Sequence, residues 1–238
     1  GLRDLERQIA SLCRSIAVRV ARLPEGSRER FAHVTFTLQD LAEVLGPSRY
    51  QLDSGDRMLR PGVAMGLAWT PSGGELLYIE TSRMEGSGAL LLTGQLGEVM
   101  QESVRATLSW IRSNSAKLQL GSQNLLQDTD VHVHFPAAAT RKDGPSAGIS
   151  VLAAFVSLFT GRHARPDTAM SGELTLQGHV LPVGGIKEKV LAAHRAGVRR
   201  IVLPAQNKQD LHEVSPKVKS QLNFIFVQSA DEVLMEAL

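Results

Sequence analysis

Cysteine is almost missing from this chain. Cys13 stands alone among 238 residues, which excludes an internal disulfide framework and fits a reducing compartment. A dominant charge is missing as well: 26 basic and 24 acidic residues leave a formal net charge of +2. No run of five or six like charges marks a nucleic-acid tail. No stretch approaches the roughly eighteen apolar residues that a membrane helix needs. Neither a G-x-x-x-x-G-K-[ST] loop nor a G-x-G-x-x-G after a strand occurs, so the two common nucleotide fingerprints are excluded. The chain starts at Gly1 instead of methionine. It therefore reads as an excised or trimmed piece of a longer protein, in which a missing targeting signal carries no weight.

What is present is ordinary globular material, 43% hydrophobic, enough for a core. Leu2, Leu5, Ile9, Leu12, Ile16 and Val20 recur at helical spacing over residues 1–22, with Arg3, Arg7, Arg14 and Arg22 mostly on other faces. Asp4 and Glu6 argue against a transit peptide, so the helix is expected to pack on something outside this chain. Polar residues 24–30 read as a loop, and Thr37 to Leu45 as a short helix stopped by Gly46-Pro47. From Pro61 the texture becomes that of strands. Runs at 63–69, 75–81 and 89–93, separated by Pro71-Ser72-Gly73-Gly74 and Glu85-Gly86-Ser87-Gly88, predict a β-meander.

Leu96, Val99, Met100, Val104, Leu108 and Ile111 then mark a long helix to about Ser115, and Val131 to Phe135 alternates as a strand. Ile149 to Phe159 is almost wholly apolar and should be a central helix. Further strands are expected at 174–176, 180–181, 201–203 and 223–227, the last two each after a helical pattern. Strands first, then alternating helices and strands, predict an α+β, or mixed α/β, domain over 58–238 behind a helical appendage, 1–57.

Candidate chemistry begins at Lys142-Asp-Gly-Pro-Ser-Ala-Gly148. Ser146 sits in a tight frame of small residues before a helix, as an exposed nucleophile requires. The segment fits G-x-S-x-G. It also fits a plain helix N-cap, and, more remotely, a phosphate-cradling loop. The residues before it form a loop, not the apolar strand that feeds an α/β-hydrolase elbow. A serine hydroxyl needs a base. No lysine lies three residues after any serine, which removes the S-x-x-K class. Gly184-Gly-Ile-Lys-Glu-Lys189 opens another helix. At about 100° per residue, Lys189 falls among Ile186, Ala192, Ala193 and Ala196, whereas Lys187 faces the polar side. Lys189 is thus the lysine expected to be desolvated and neutral enough to act as base.

Ser171, in Ala169-Met-Ser-Gly-Glu173, could orient a neutral amine through its hydroxyl or simply close a strand end. The seven histidines offer a Ser-His-Asp alternative, but none has an aspartate partner by spacing. His132 and His134 share a strand face, yet as a metal pair they lack an indicated third ligand.

These segments, with Thr93-Gly-Gln-Leu-Gly-Glu-Val-Met-Gln-Glu-Ser103, Asp130-Val-His-Val-His134 and Leu191-Ala-Ala-His-Arg-Ala-Gly197, closely resemble the proteolytic domain of the ATP-dependent Lon proteases, over nearly the whole chain. The resemblance implies a fold like the second domain of ribosomal protein S5. It implies a Ser-Lys endopeptidase acting on unfolded or damaged proteins, with Ser146 as nucleophile and Lys189 as base. Ser171 stands where the family usually has threonine and so loses the β-branch that stiffens the hydroxyl. Glu80, His134 and Asp143 line the site by similarity, and Asp143 takes part in switching the serine loop between open and closed forms.

Residues 1–57 resemble the last helical part of the AAA+ module and its linker, with Arg3 as the sensor-2 arginine. No cofactor or metal is then expected in this part. ATP and magnesium belong to the full-length protein, a homo-hexamer without membrane or nucleic-acid partners. Gly66-Leu-Ala-Trp-Thr-Pro71 and Leu125 to Pro136 look most like the peroxisomal branch, implying the peroxisomal matrix. The chain ends at Leu238 without a Ser-Lys-Leu-type signal, and a mitochondrial matrix or a bacterial cytoplasm is the alternative. An inactive Lon-like scaffold would share the fold, but both dyad residues are present.

Overall fold

A computed structural model describes residues 2–24, 34–46, 60–70, 73–121, 125–136 and 142–238. The chain divides into two compact units, Gly1–Leu52 and Asp53–Leu238. The first holds helix α1 (Leu2–Ala21) and helix α2 (Leu38–Leu45). Thr37 and Asp40 close a reciprocal capping box on α2, satisfying donors the first turn leaves open. Neither helix has a buried residue. The loop expected at 24–30 lies outside the described residues beyond Pro24, as do Pro47, Pro71 and Ser72.

The second unit is mixed α/β. Its strands are β1 (Val63–Thr70), β2 (Gly73–Glu85), β3 (Leu90–Thr93), β4 (Thr129–His134), β5 (Thr168–Met170), β6 (Glu173–Leu174), β7 (Val180–Leu181), β8 (Arg200–Pro204) and β9 (Asn223–Val227). Seven form one sheet in the order β3-β4-β2-β1-β5-β8-β9, while β6 and β7 make a separate hairpin. β1 and β2 pair antiparallel with Ala64 opposite Ile79, and β5, β8 and β9 run parallel.

The three runs expected to form a meander are not consecutive neighbours in the sheet. β3 does not pair with β2: β4 lies between them, antiparallel to β2 and parallel to β3. The loop 86–89 skips a strand position and is fastened by Asp130, one carboxylate oxygen of which accepts the N–H groups of Ser87, Gly88 and Ala89 at 2.8, 2.9 and 2.7 Å. That bond to Ala89 above all holds the Asp130 carboxyl below its usual range. Short alternating runs announce strands but not their neighbours.

Helix α3 (Glu98–Ser113) joins β3 to β4. Met100, Val104, Leu108 and Ile111 face inward as expected; Val99 is 45% exposed, and Thr107 and Trp110 are buried instead. Helix α4 (Gly148–Thr160) is buried from Gly148 to Ser157 and packs on β1, β2, α3 and the C-terminal helix α7 (Ala230–Ala237). Being apolar all round, it can only be central. Helix α5 (Ile186–Arg195) lies against β1 and β2. A 3₁₀ segment (Ala205–Glu213) and the short α6 (Pro216–Lys219) lead to β9.

Candidate active site

Ser146 lies in a single 3₁₀ turn, Pro145–Ala147, that runs straight into α4. Its backbone carbonyl is held by β5's exit: Gly172 N–H donates to it at 2.9 Å and the Ser171 hydroxyl at 3.2 Å. Gly172 returns its own carbonyl to Ile149 N–H at 3.2 Å. The nucleophile candidate is therefore pinned between the start of the central helix and the end of a buried strand.

Lys189 comes from α5. Its helix face is inward, as the spacing predicted: it is 2% exposed, while Lys187 faces solvent. Nζ donates to Ser171 Oγ at 3.0 Å. A hydroxyl partner leaves the amine without a counter-charge, and desolvation by burial lowers its pKa from 10.5 to about 8. Ser171 thus joins the two segments, accepting from the Lys189 amine and donating to the Ser146 carbonyl. The helix start is set by Gly185, at φ +69; a Cβ there would stand 2.8 Å from Trp69 Cδ1. Only glycine lets α5 begin under that indole.

Ser146 and Lys189 line one cleft of about 500 Å³, with Trp69, Glu75, Met100 and Lys142 among its walls. No histidine is among the described residues lining it. Asp143 also lines the cleft. Its Oδ1 accepts Gly144 N–H at 2.9 Å and Met100 N–H at 3.3 Å. Gly97, the N-cap of α3, has no side chain to offer, so Asp143 supplies the cap from 43 residues away. A Cβ on Gly97 would come within 2.1 Å of that carboxyl carbon.

Glu80 and His134 are placed differently. They face each other across β2 and β4 and are not among the residues lining the cleft. His134 Nδ1 is 2.7 Å from Thr93 Oγ1. Sequence reasoning missed Lys142, Glu75 and Trp69 as cleft residues. Burial lowers the Lys142 pKa, with Glu75 opposing, and Lys142 Nζ donates to Gly94 carbonyl at 3.3 Å. The signal available in sequence was a tryptophan at the end of an apolar run, just before Thr70-Pro71; in the structure Trp69 is 56% exposed.

Residues 35–238 match the family described as the Lon protease (S16) C-terminal proteolytic domain. This chain belongs to the Lon protease family. Among its relatives, a Lon protease of Anaeromyxobacter dehalogenans is 52% identical over 238 residues, 100% of this chain and 28% of that protein. Lon protease 2 of Myxococcus xanthus is 51% identical, with 100% and 28% covered. The peroxisomal Lon protease homolog 2 of Xenopus laevis is 46% identical over 275 residues, 100% of this chain and 32% of that protein. The chain thus spans about three tenths of the length of these relatives, and both bacterial and peroxisomal Lon proteins resemble it.

Proposed function

We propose that this chain is the peptide-bond-cleaving unit of an ATP-dependent Lon protease and works through a Ser146–Lys189 dyad. The observation that carries the reading is the buried, counter-charge-free amine of Lys189, held by Ser171 in the cleft that Ser146 lines. Ser146 Oγ attacks the scissile carbonyl while neutral Lys189 takes its proton. The ammonium then gives that proton to the leaving amine, and a water activated by the same amine releases the acyl-enzyme. Ser171 is the positioning residue. Asp143 sets the serine loop by capping α3.

Residues 1–57 are the end of the AAA+ module with Arg3 in the sensor-2 role. ATP and magnesium act in the whole protein, a homo-hexamer that feeds unfolded or damaged proteins to the site. The setting proposed is the peroxisomal matrix, with a mitochondrial matrix or a bacterial cytoplasm as the alternative; both peroxisomal and bacterial Lon proteins are among its relatives.

Turnover of a fluorogenic peptide by the chain and its variants tests the dyad. Ser146→Ala and Lys189→Ala are expected to be inactive and folded, and Lys187→Ala to keep most activity. Activity surviving in Ser146→Ala, in a preparation free of other proteases, removes the nucleophile. A parent as silent as Ser146→Ala favours the inactive-scaffold reading.

A further inference from the structure

β4 alternates, so Val131 and Val133 point into the core, both fully buried, while His132 and His134 stand together on the opposite, half-exposed face. β3 runs beside them in parallel, with Leu91 level with His132 and Thr93 level with His134. Thr93 Oγ1 consequently lies 2.8 Å from His132 Nε2 and 2.7 Å from His134 Nδ1. A hydroxyl has one proton, so it donates to one ring nitrogen and accepts the N–H of the other. Two imidazole nitrogens therefore converge on one point. Glu80, opposite His134 on β2, places a carboxylate in the same row.

We propose that His132 and His134 form an exchangeable binding site for a borderline transition-metal dication such as Cu²⁺, Ni²⁺ or Zn²⁺. Imidazole nitrogen suits these ions, whereas magnesium and calcium demand oxygen ligands. Among the described residues no group of three or more His, Cys, Asp or Glu is placed to hold a metal. The site is thus a pair of imidazoles completed by water, open where a structural zinc site is closed. For the ion to enter, the ring that donates to Thr93 moves its proton to its other nitrogen, and the hydroxyl yields its place between the rings. The centroids are 6.3 Å apart at 67°, about 1 Å wider than two rings on a tetrahedral ion with Zn–N near 2.0–2.1 Å. Side-chain rotation closes that gap. Glu80 lies outside the ligand set and favours the dication electrostatically.

Copper and zinc chloride are the probes. Cu²⁺ titrated into the chain should give an electron paramagnetic resonance spectrum with hyperfine splitting from two nitrogens, reduced to one in His132→Gln or His134→Gln. Calorimetry with Zn²⁺ should show one site that weakens at least tenfold in either variant, with far-UV circular dichroism unchanged. Equal metal uptake by the parent and the doubly substituted chain, or a parent spectrum without nitrogen splitting, overturns the proposal. Peptidase activity enters neither readout, so the outcome stands apart from the dyad assignment.

Discussion

Lys189 shows how one side chain couples reactivity to stability. Its amine is neutral only above about pH 8, so the proposed general base is mostly protonated at neutral pH. kcat/KM for a peptide should therefore rise with pH along a limb centred near 8; a limb near 6.5 would point to a histidine instead. The same burial works against folding. An unfolded lysine binds its proton up to pH 10.5, so the stability penalty is full below about pH 8 and fades as pH rises from 8 to 10.5. The difference corresponds to about 3 kcal/mol. Lys189→Met, which keeps the volume and drops the charge, should stabilise the domain by roughly 2–3 kcal/mol at pH 7 and by much less at pH 10.5. Urea unfolding at both pH values decides it, and equal gains at the two values would show that the amine is not desolvated.

The Ser171 hydroxyl keeps that amine aimed. Losing one partner of a buried polar contact leaves the other unsatisfied at about 1–3 kcal/mol. If this falls on the barrier, Ser171→Ala slows turnover by roughly ten- to a hundred-fold. Ser171→Thr should match or slightly exceed the parent, since the added methyl stiffens χ1. An unchanged Ser171→Ala rate would leave the residue as a mere strand-end serine. At this scale much was legible in the sequence. The choice of Lys189 over Lys187 followed from helix periodicity, a local rule; for Ser171 the strand end left both an orienting and a merely structural role open, and the contact to Lys189 Nζ is seen only in the fold. The cap that Asp143 makes on Met100 N–H was not legible, because it joins residues far apart in the chain.

That cap belongs to the scale of elements. α3 begins at a glycine without a capping side chain, and the serine loop supplies the missing acceptor. Lys142 adds two backbone bonds, its N–H to Gln95 carbonyl at 3.2 Å and its carbonyl from Gly97 N–H at 2.7 Å. The helix start and the loop are therefore one mechanical piece. Asp143→Ala should cost about 1 kcal/mol and lower kcat/KM through a misplaced loop. Gly97→Ala, which drives a methyl into the same carboxylate, should lower it with Asp143 intact. If thermal melts and rates of both variants matched the parent, the loop and α3 would be independent.

Elements themselves were read well where one periodicity ran uninterrupted, as in α4, and less well where pairing is long-range. β3's partner depends on the Asp130 fastening and on the crossover through α3, which no local pattern contains. α7 went unread because eight residues at the chain end carry few periodic positions; its place is fixed from afar by Arg200 Nη2 donating to Glu236 Oε2 at 2.6 Å and Arg165 N–H donating to Ala237 carbonyl at 2.8 Å.

For the whole molecule, the strand texture that sets in near residue 60 corresponds to the sheet of the second unit, whose first strand begins at Val63. Every core residue among those described, from Val63 to Leu238, belongs to the second unit. α1 and α2 bury none, and a unit of that size cannot supply a large core of its own. The second unit should accordingly fold alone. A chain starting at Asp53 is expected to give a cooperative melt with a midpoint within a few degrees of the parent's main transition. The parent should in addition lose helical signal gradually at lower temperature, as α1 and α2 melt without a core. Circular dichroism at 222 nm and calorimetry on both chains distinguish the cases. An insoluble truncated chain, or a main transition lost together with residues 1–52, would mean that the first unit contributes to the stability of the second, and the proposed boundary between helical appendage and proteolytic domain would have to be abandoned.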